Sequence, residues 1–190
     1  MRNRIVLAAA AVLAVGASVL SPHPAAQAAA PHAVRAGTVL ACDGHTAPGA
    51  PVTIQPALSS REKSTTVRGK LLLDRCVSPN GSVRGIRSGV VTFNLSGKAS
   101  CTTARDVSGG GRVTWYSSGD RTGRPTGTSV LDSRGPRSWA PGAALPTIVV
   151  RSGTLAGRTI TAGPVGMPRM LKCSTRGIGS LSGAFWARAS

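Results

Sequence analysis

The sequence predicts an all-β protein: an antiparallel β-sandwich or barrel of about eight short strands after an N-terminal signal helix. Short runs of Val, Ile, Leu and Thr alternate with clusters of Gly, Pro, Ser and Asn, and no run has the 3.6-residue period of an amphipathic helix. Aromatic residues make up only 3% of the chain, against 24 glycines and 13 prolines. The core must therefore consist mainly of small aliphatic side chains.

The first strands lie early in the chain. Thr38–Cys42 and Val52–Ala57 are short apolar runs, and the segment 43–49 between them is rich in turn residues. Thr65–Cys76 is longer and places apolar residues on one face and charged residues on the other, which is typical of a half-buried antiparallel strand. The Asn80-Gly81 pair predicts a turn after it, because both residues tolerate positive φ.

The clearest strand is Ser88–Ala99, in which Val91, Phe93 and Leu95 alternate with polar residues. This alternation places the three side chains on one pleat face, and we expect Trp115 to be buried in the same core. The remaining strands are predicted from similar runs: Arg112–Ser117 after the run 109–111, Gly127–Leu131, Thr147–Ser152, Arg158–Ala162 and Ser180–Ala187.

The beginning of the chain has the features of a secretory signal peptide. After two arginines, residues 5–20 form an apolar run, and Ala26 and Ala28 are the small residues that a cleavage site needs. We expect removal of residues 1–28, which leaves residues 29–190 as a single secreted, disulfide-stabilised β domain. No later segment reaches the roughly 18 consecutive apolar residues of a membrane span, so no transmembrane segment is expected after cleavage.

The chain has four cysteines, Cys42, Cys76, Cys101 and Cys173. In an exported protein they are expected to form two disulfides, and three connectivities are possible. Position favours Cys42–Cys76, because both residues end early strands that could pair. It also favours Cys101–Cys173, because the Pro/Gly-rich segment around Cys173 gains most from being tied back. Two bridges of about 2–4 kcal/mol each are a large part of a typical stability of about 5–15 kcal/mol.

Basic residues greatly outnumber acidic ones, 23 to 6. Loss of Arg2 and Arg4 with the signal peptide lowers the formal net charge from +17 to +15. Such a field attracts anionic cell-wall polymers, anionic lipid or nucleic acid. The alternative is compositional, because 19 of the 23 basic residues are arginine, they are spread along the chain, and the composition suggests a GC-rich genome. We expect anionic cell-wall polymers as partners, no specific nucleic acid, and a monomer.

Several short motifs in the mature region resemble those of small exported four-cysteine actinobacterial (streptomycete-like) proteins of uncharacterised function. They are Cys76-Val77-Ser78-Pro79, Ser100-Cys101-Thr102, Val113-Thr114-Trp115, Ser152-Gly153-Thr154-Leu155-Ala156-Gly157, Cys173 and Gly177-Ile178-Gly179-Ser180-Leu181-Ser182-Gly183. The resemblance covers roughly Val67–Phe185, implies an all-β exported domain and brings no catalytic residue with it. Streptomycete subtilisin inhibitors also have two disulfides, but they are shorter and have a different cysteine pattern, so we do not assign the chain to them.

Candidate catalytic residues are few. Only His32 and His45 remain after cleavage, and the chain has no Gly-x-Ser-x-Gly elbow. Asp43 and His45 could form a triad with a serine, but a surface turn is the preferred interpretation. Sugar hydrolysis needs two carboxylates at a set separation. The candidates lie mostly in or beside predicted turns, where such side chains usually bond their own backbone: Asp43, Glu62, Asp74, Asp106, Asp120 and Asp132.

Three further motifs have a structural alternative that we prefer. Cys42 and His45 have a zinc-type spacing, but a disulfide better suits Cys42. The run Gly109-Gly110-Gly111 lacks a following helix N-terminus to complete a phosphate cradle. Trp115 and Trp186 lie on predicted strands, and we expect both to pack in the core or at a sheet edge.

Trp139, in the longest predicted loop, is the one aromatic residue that we predict as a possible contact with a ligand.

Two functional hypotheses follow. The first is a secreted, non-catalytic β-sandwich protein that associates with acidic cell-envelope polymers through its basic surface, with no catalytic, cofactor-binding or metal-binding residue. The alternative is a small secreted hydrolase or hydrolase inhibitor whose site the sequence does not reveal. The spatial distribution of the basic residues, and of Asp43, His45 and Trp139, distinguishes the two.

Overall fold

The computed structural model describes residues 37–133, 138–139, 148–164 and 173–190, so the predicted signal peptide lies outside the described residues. Within these ranges the chain has eleven strands and one four-residue helix. In chain order they are β1 (Leu40–Thr46), β2 (Val52–Leu58), β3 (Lys63–Val77), β4 (Ser88–Ala99), β5 (Ala104–Tyr116), β6 (Gly127–Ser133), β7 (Ser138–Trp139), β8 (Ile148–Gly153), β9 (Thr159–Pro164), α1 (Cys173–Arg176), β10 (Ile178–Leu181) and β11 (Ala184–Ala189).

Eight of these strands close into an antiparallel barrel. Their order around the barrel is β1, β11, β9, β8, β6, β5, β4 and β3, and β3 pairs with β1 to complete the ring. This confirms the predicted all-β class and decides for the barrel over the sandwich. Closure leaves these eight strands with a neighbour on both sides, which protects the backbone groups that an open sheet would expose.

Strand β3 is long enough to carry two neighbours along one edge. Its second half pairs with β1 from Leu71 to Val77, and its first half pairs with β2 from Thr66 to Arg68. Strand β10 then pairs with β2 as an extension outside the ring. The two-residue β7 adds to the start of β5, where Ala104 is opposite Trp139.

The inner face of the barrel is packed most tightly at one end, which we call the closed end and define by Leu40, Ile86, Trp115 and Ser129. These side chains are buried, and Trp115 is only 2% exposed. The prediction that Trp115 is buried is therefore confirmed. The predicted alternation of β4 is confirmed as well, because Val91, Phe93 and Leu95 line the same interior as Trp115.

Two disulfides are present, and both have the predicted connectivity. Cys42–Cys76 joins β1 to β3, and Cys101–Cys173 joins the turn between β4 and β5 to the start of α1. All four cysteines are thus paired. The second bridge ties Cys173 to the turn between β4 and β5, as the sequence predicted.

Most predicted strands are found within a few residues of their expected ends, and three need correction. Strand β1 extends into the first half of the predicted turn, as far as Thr46, because it pairs with both β11 and β3 there, and a turn closed by a hydrogen bond from the Ala50 amide to the Ala47 carbonyl follows it. Strand β5 begins at Ala104, not Arg112, and includes the glycine run 109–111. A Cβ on Gly111 would lie 2.5 Å from the carbonyl oxygen of Thr92, so this close strand contact requires glycine. The last predicted strand is two strands, β10 and β11.

In the described part of the chain, no helix combines the length and the apolar character that crossing a bilayer requires.

Candidate functional site: the basic outer face

Three exposed cations lie close together on the outside of the barrel. Along β3, Arg68 and Lys70 point outward between inward-facing residues, about 7 Å apart along the strand. Lys70 is opposite Thr92 of β4, and Thr92 is opposite Arg112 of β5. Lys70 and Arg112 are therefore about 10 Å apart on either side of one threonine.

We call this surface the basic outer face and define it by Arg68, Lys70, Thr92, Asn94 and Arg112. All five side chains are exposed. The Nε of Arg68 donates a hydrogen bond to Asn94 Oδ1 at 3.3 Å. Because this bond uses one guanidinium nitrogen, it orients Arg68 while leaving its other donors available.

The three cations of the basic outer face form no ion pair with a carboxylate of the described residues, whereas four other arginines do. Those four pairs are Arg75–Asp43 at 2.7 Å, Arg105–Glu62 at 2.6 Å, Arg151–Asp132 at 2.5 Å, and Arg121–Asp74. Four of the six acidic residues of the chain are thus used elsewhere, and the charge of the basic outer face is not neutralised locally.

A polar groove of about 300 Å³ continues from this face along β3, β4 and β5. Its hydroxyl groups include those of Thr66 and Ser96, whose oxygens are 3.3 Å apart. Lys98 contributes a further exposed cation, and Asp106 contributes one carboxylate. Cations and hydroxyls on a shallow, open surface can bind a ligand that carries repeated anionic and hydroxyl groups.

The Asp43–His45 pair, considered from the sequence as part of a triad and set aside in favour of a surface turn, is not formed. His45 Nδ1 lies 2.9 Å from Asp74 Oδ2, and the other oxygen of Asp74 accepts a hydrogen bond from Arg121. Asp43 instead pairs with Arg75. Among the described residues, no serine, threonine or cysteine side chain is hydrogen-bonded to His45, so the nucleophile of a triad has no counterpart there. The cluster therefore joins β1 and β3 to Arg121, which lies in the connection between β5 and β6.

The carboxylates also differ from the turn-bound pattern that the sequence predicted. Asp43, Asp74 and Asp132 lie within strands, and the sheet places Arg75 near Asp43 and Arg151 near Asp132, whereas Arg121 reaches Asp74 from the connection between β5 and β6. Asp120 has the predicted arrangement: its Oδ1 accepts hydrogen bonds from both the amide and the hydroxyl of Thr122. These bonds lower the pKa of Asp120. The hydrogen bond to Glu62 raises the pKa of Arg105.

The zinc alternative is excluded, because Cys42 is in a disulfide. Across the described residues, no three His, Cys, Asp or Glu side chains are grouped as metal ligands would be.

The remaining aromatic candidates lie on strands. Trp139, predicted in a loop, belongs to β7, where its backbone pairs with Ala104. The proposal that it contacts a ligand stays a prediction. Trp186 is half-buried on the outside of β11, and Arg188 Cζ lies 4.7 Å from its ring centroid. This contact suits the packing role that the sequence predicted for Trp186.

The fold and the site define a class of protein: an all-β barrel held by two disulfides, with a locally unneutralised basic face. Comparison of the chain with family models, with curated proteins and with solved structures found no match.

Proposed function

We propose that this protein is an exported, non-catalytic β-barrel domain that binds acidic cell-envelope polymers through its basic outer face. The observation that carries the proposal is the clustering of Arg68, Lys70 and Arg112 on one open surface without a carboxylate partner among the described residues. The two disulfides support the exported location, because disulfides persist in oxidising compartments.

The arrangement suits phosphate or carboxylate groups spaced along a chain. A guanidinium presents several donors in a planar fork that matches phosphate and carboxylate, and Lys70 adds a compact charge between the two arginines. Thr92 and Asn94 are exposed beside them and can bond to hydroxyls of the same polymer. Because the face is open and not a cleft, we expect modest affinity and little discrimination between polymers of similar charge spacing.

A non-catalytic role is supported by the positions of the few candidate groups. Both oxygens of Asp74 already have cationic or imidazole partners, and His45 has no hydroxyl partner among the described residues. A hydrolase would need a base beside a nucleophile, or two carboxylates facing one cleft.

The experiment is retention of the purified, oxidised protein on beads coated with teichoic acid and, in parallel, with uncharged dextran. We expect retention on teichoic acid alone, with at least a tenfold loss of affinity between about 50 and 500 mM salt, because released counterions drive the association. Salt-resistant, saturable binding to dextran would contradict the proposal. So would turnover in peptidase or glycosidase assays that His45→Ala abolishes.

A further inference from the structure

The polar groove beside the basic outer face contains the side chains that suit a hydroxylated ligand. Its volume of about 300 Å³ is at the lower end of the range of about 300–1,000 Å³ for small-molecule sites. Five of its eight lining residues carry a hydroxyl, among them Thr66, Ser96 and Ser108. Lys98 adds an ammonium group and Asp106 a carboxylate. The groove therefore offers both donors and acceptors of hydrogen bonds to one small unit of a ligand.

A β-bulge places the side chain of Asp106 in this groove. The register of β4 and β5 shifts between Ser96 and Lys98, where β5 has one residue more than β4. Asp106 lies in this bulge with a φ of 54°, a left-handed conformation that costs free energy for a residue other than glycine. Bulges turn a side chain in a new direction and are frequent beside functional sites. Here the bulge adds a carboxylate to an outer face that otherwise presents hydroxyls and cations.

The carboxylate of Asp106 differs from the other five acidic groups of the chain in its partners. Four of those five are in the ion pairs described above, and Asp120 accepts hydrogen bonds from Thr122. Asp106 is exposed and forms no ion pair with a basic side chain in the part of the chain that the structure describes. A carboxylate is an acceptor with about four lone-pair sites, so it can bind two neighbouring hydroxyls at once.

The groove begins one outward position beyond the basic outer face. Thr66 and Arg68 both lie on the outer side of β3, two residues and about 7 Å apart, and Lys70 follows Arg68 at the same spacing. A polymer that runs along β3 with an anionic group at Arg68 and Lys70 therefore places its next short unit in the groove.

We propose that the groove binds a polyol unit with neighbouring hydroxyl groups, which separates the anionic groups of the envelope polymer. Asp106 accepts hydrogen bonds from two hydroxyls of this unit, and Lys98 donates to a further oxygen atom. The inference rests on the proposed function, because the basic outer face binds the anionic groups of the same polymer. That face alone discriminates little between polymers of similar charge spacing, so selectivity for hydroxylated units comes from the groove.

The probe is poly(ribitol phosphate), compared with the same polymer after O-acetylation, which removes the free hydroxyls and retains the phosphates. Affinity of the full oxidised protein for both is measured on coated beads at about 100 mM salt, where charges more than about 10 Å apart are screened. We expect at least about fivefold tighter binding of the hydroxylated polymer, because acetylation removes the donors to Asp106. Equal affinities would overturn this inference and leave the proposed function standing. Absence of binding to either polymer would overturn both.

The variant Asp106→Asn separates recognition by the groove from attraction by charge. Asn adopts left-handed backbone conformations as Asp does, so the bulge is retained. The substitution makes the protein more positive, and attraction by charge alone would therefore leave binding unchanged or strengthen it. We expect instead a loss of about three- to tenfold for the hydroxylated polymer, because bonds to a charged acceptor are lost, and no loss for the acetylated one.

The matched control is Asp120→Asn, which makes the same change in charge in the connection between β5 and β6 and should weaken binding of neither polymer. No loss for Asp106→Asn on the hydroxylated polymer, or the same loss on both polymers, would overturn the inference. If thermal melting shows that Asp106→Asn does not fold, Ser96→Ala is the replacement, with the same outcomes.

Discussion

The indole Nε1 of Trp115 donates a hydrogen bond to Ser129 Oγ at 2.8 Å inside the closed end of the barrel. Ser129 in turn donates to the backbone carbonyl of Thr154. Strands β5 and β6 supply the two side chains, and both are almost completely buried. Packing and two successive hydrogen bonds, which connect the ring to the turn between β8 and β9, therefore hold the Trp115 side chain in place.

Truncating the side chain of Trp115 should destabilise the fold more than truncating that of Ser129. Trp115→Ala is expected to cost about 3–5 kcal/mol in the free energy of unfolding, as for other buried large aromatics. Ser129→Ala leaves the indole N–H unpaired and is expected to cost about 1–3 kcal/mol. Urea denaturation measures both. A loss below about 1 kcal/mol for Trp115→Ala would mean that the core is not organised around this ring.

The contact between Gly44 and Phe185 predicts a position-specific effect of a single methyl group. The two residues are opposite each other on β1 and β11, and a Cβ on Gly44 would lie 2.6 Å from Cε2 of the ring. Gly44→Ala should therefore cost about 1–3 kcal/mol, because the ring must move. Gly119→Ala is the control, since no atom lies within 4 Å of the added Cβ there. Equal melting temperatures for the two variants would contradict the packing.

Each disulfide should contribute substantially to stability. The bridges close segments with sequence separations of 34 and 72, for which chain entropy alone predicts about 3–5 kcal/mol each. We expect a loss of that size for Cys42→Ala/Cys76→Ala and a slightly larger one for Cys101→Ala/Cys173→Ala. Denaturant unfolding of the two double variants is the measurement. A loss below about 1 kcal/mol for the second pair would show that its segment is held by other contacts.

We predict that the contribution of Asp120 to the free energy of unfolding depends on pH. Its pKa is lowered because Thr122 donates two hydrogen bonds to the carboxylate. A group with a lower pKa in the folded state stabilises the fold fully above its unfolded pKa near 4, and this contribution is lost as the pH falls through the folded value. The stability difference between the protein and Asp120→Asn should thus shrink from pH 7 to pH 2. Thr122→Val should reduce the same difference, and a pH-independent difference would contradict the assignment.

The sequence predicts features that depend on local pattern. Alternation along β4 assigns Val91 and Phe93 to the interior without knowledge of the neighbouring strands, and the barrel confirms it. The turn-rich composition of 43–49 predicts the turn after Thr46 correctly and fails for 43–46, because pairing with two neighbours extends β1 to Thr46. Tertiary pairing outweighs local turn preference there.

The candidate site depends on register, which no local pattern supplies. Arg68 and Arg112 are 44 residues apart in the chain, and only the pairing of β3, β4 and β5 brings them to one face. The same holds for the pairing of His45 with Asp74, which are 29 residues apart in the chain and are brought together by the pairing of β1 with β3. Arg68, Lys70, Thr92 and Arg112 all occupy outward-facing positions of their strands. With the order of the strands known, this shared orientation would have indicated the site.

The most direct test of the proposed function compares two triple variants with the same change in net charge. One replaces Arg68, Lys70 and Arg112 by Gln, and the other replaces Arg75, Arg105 and Arg151, which already have carboxylate partners. On teichoic acid beads at about 100 mM salt, where charges are screened beyond about 10 Å, we predict at least a tenfold loss of affinity for the first variant. For the second we predict a loss within about twofold. Equal losses for the two variants would contradict a localised site and assign the association to overall charge.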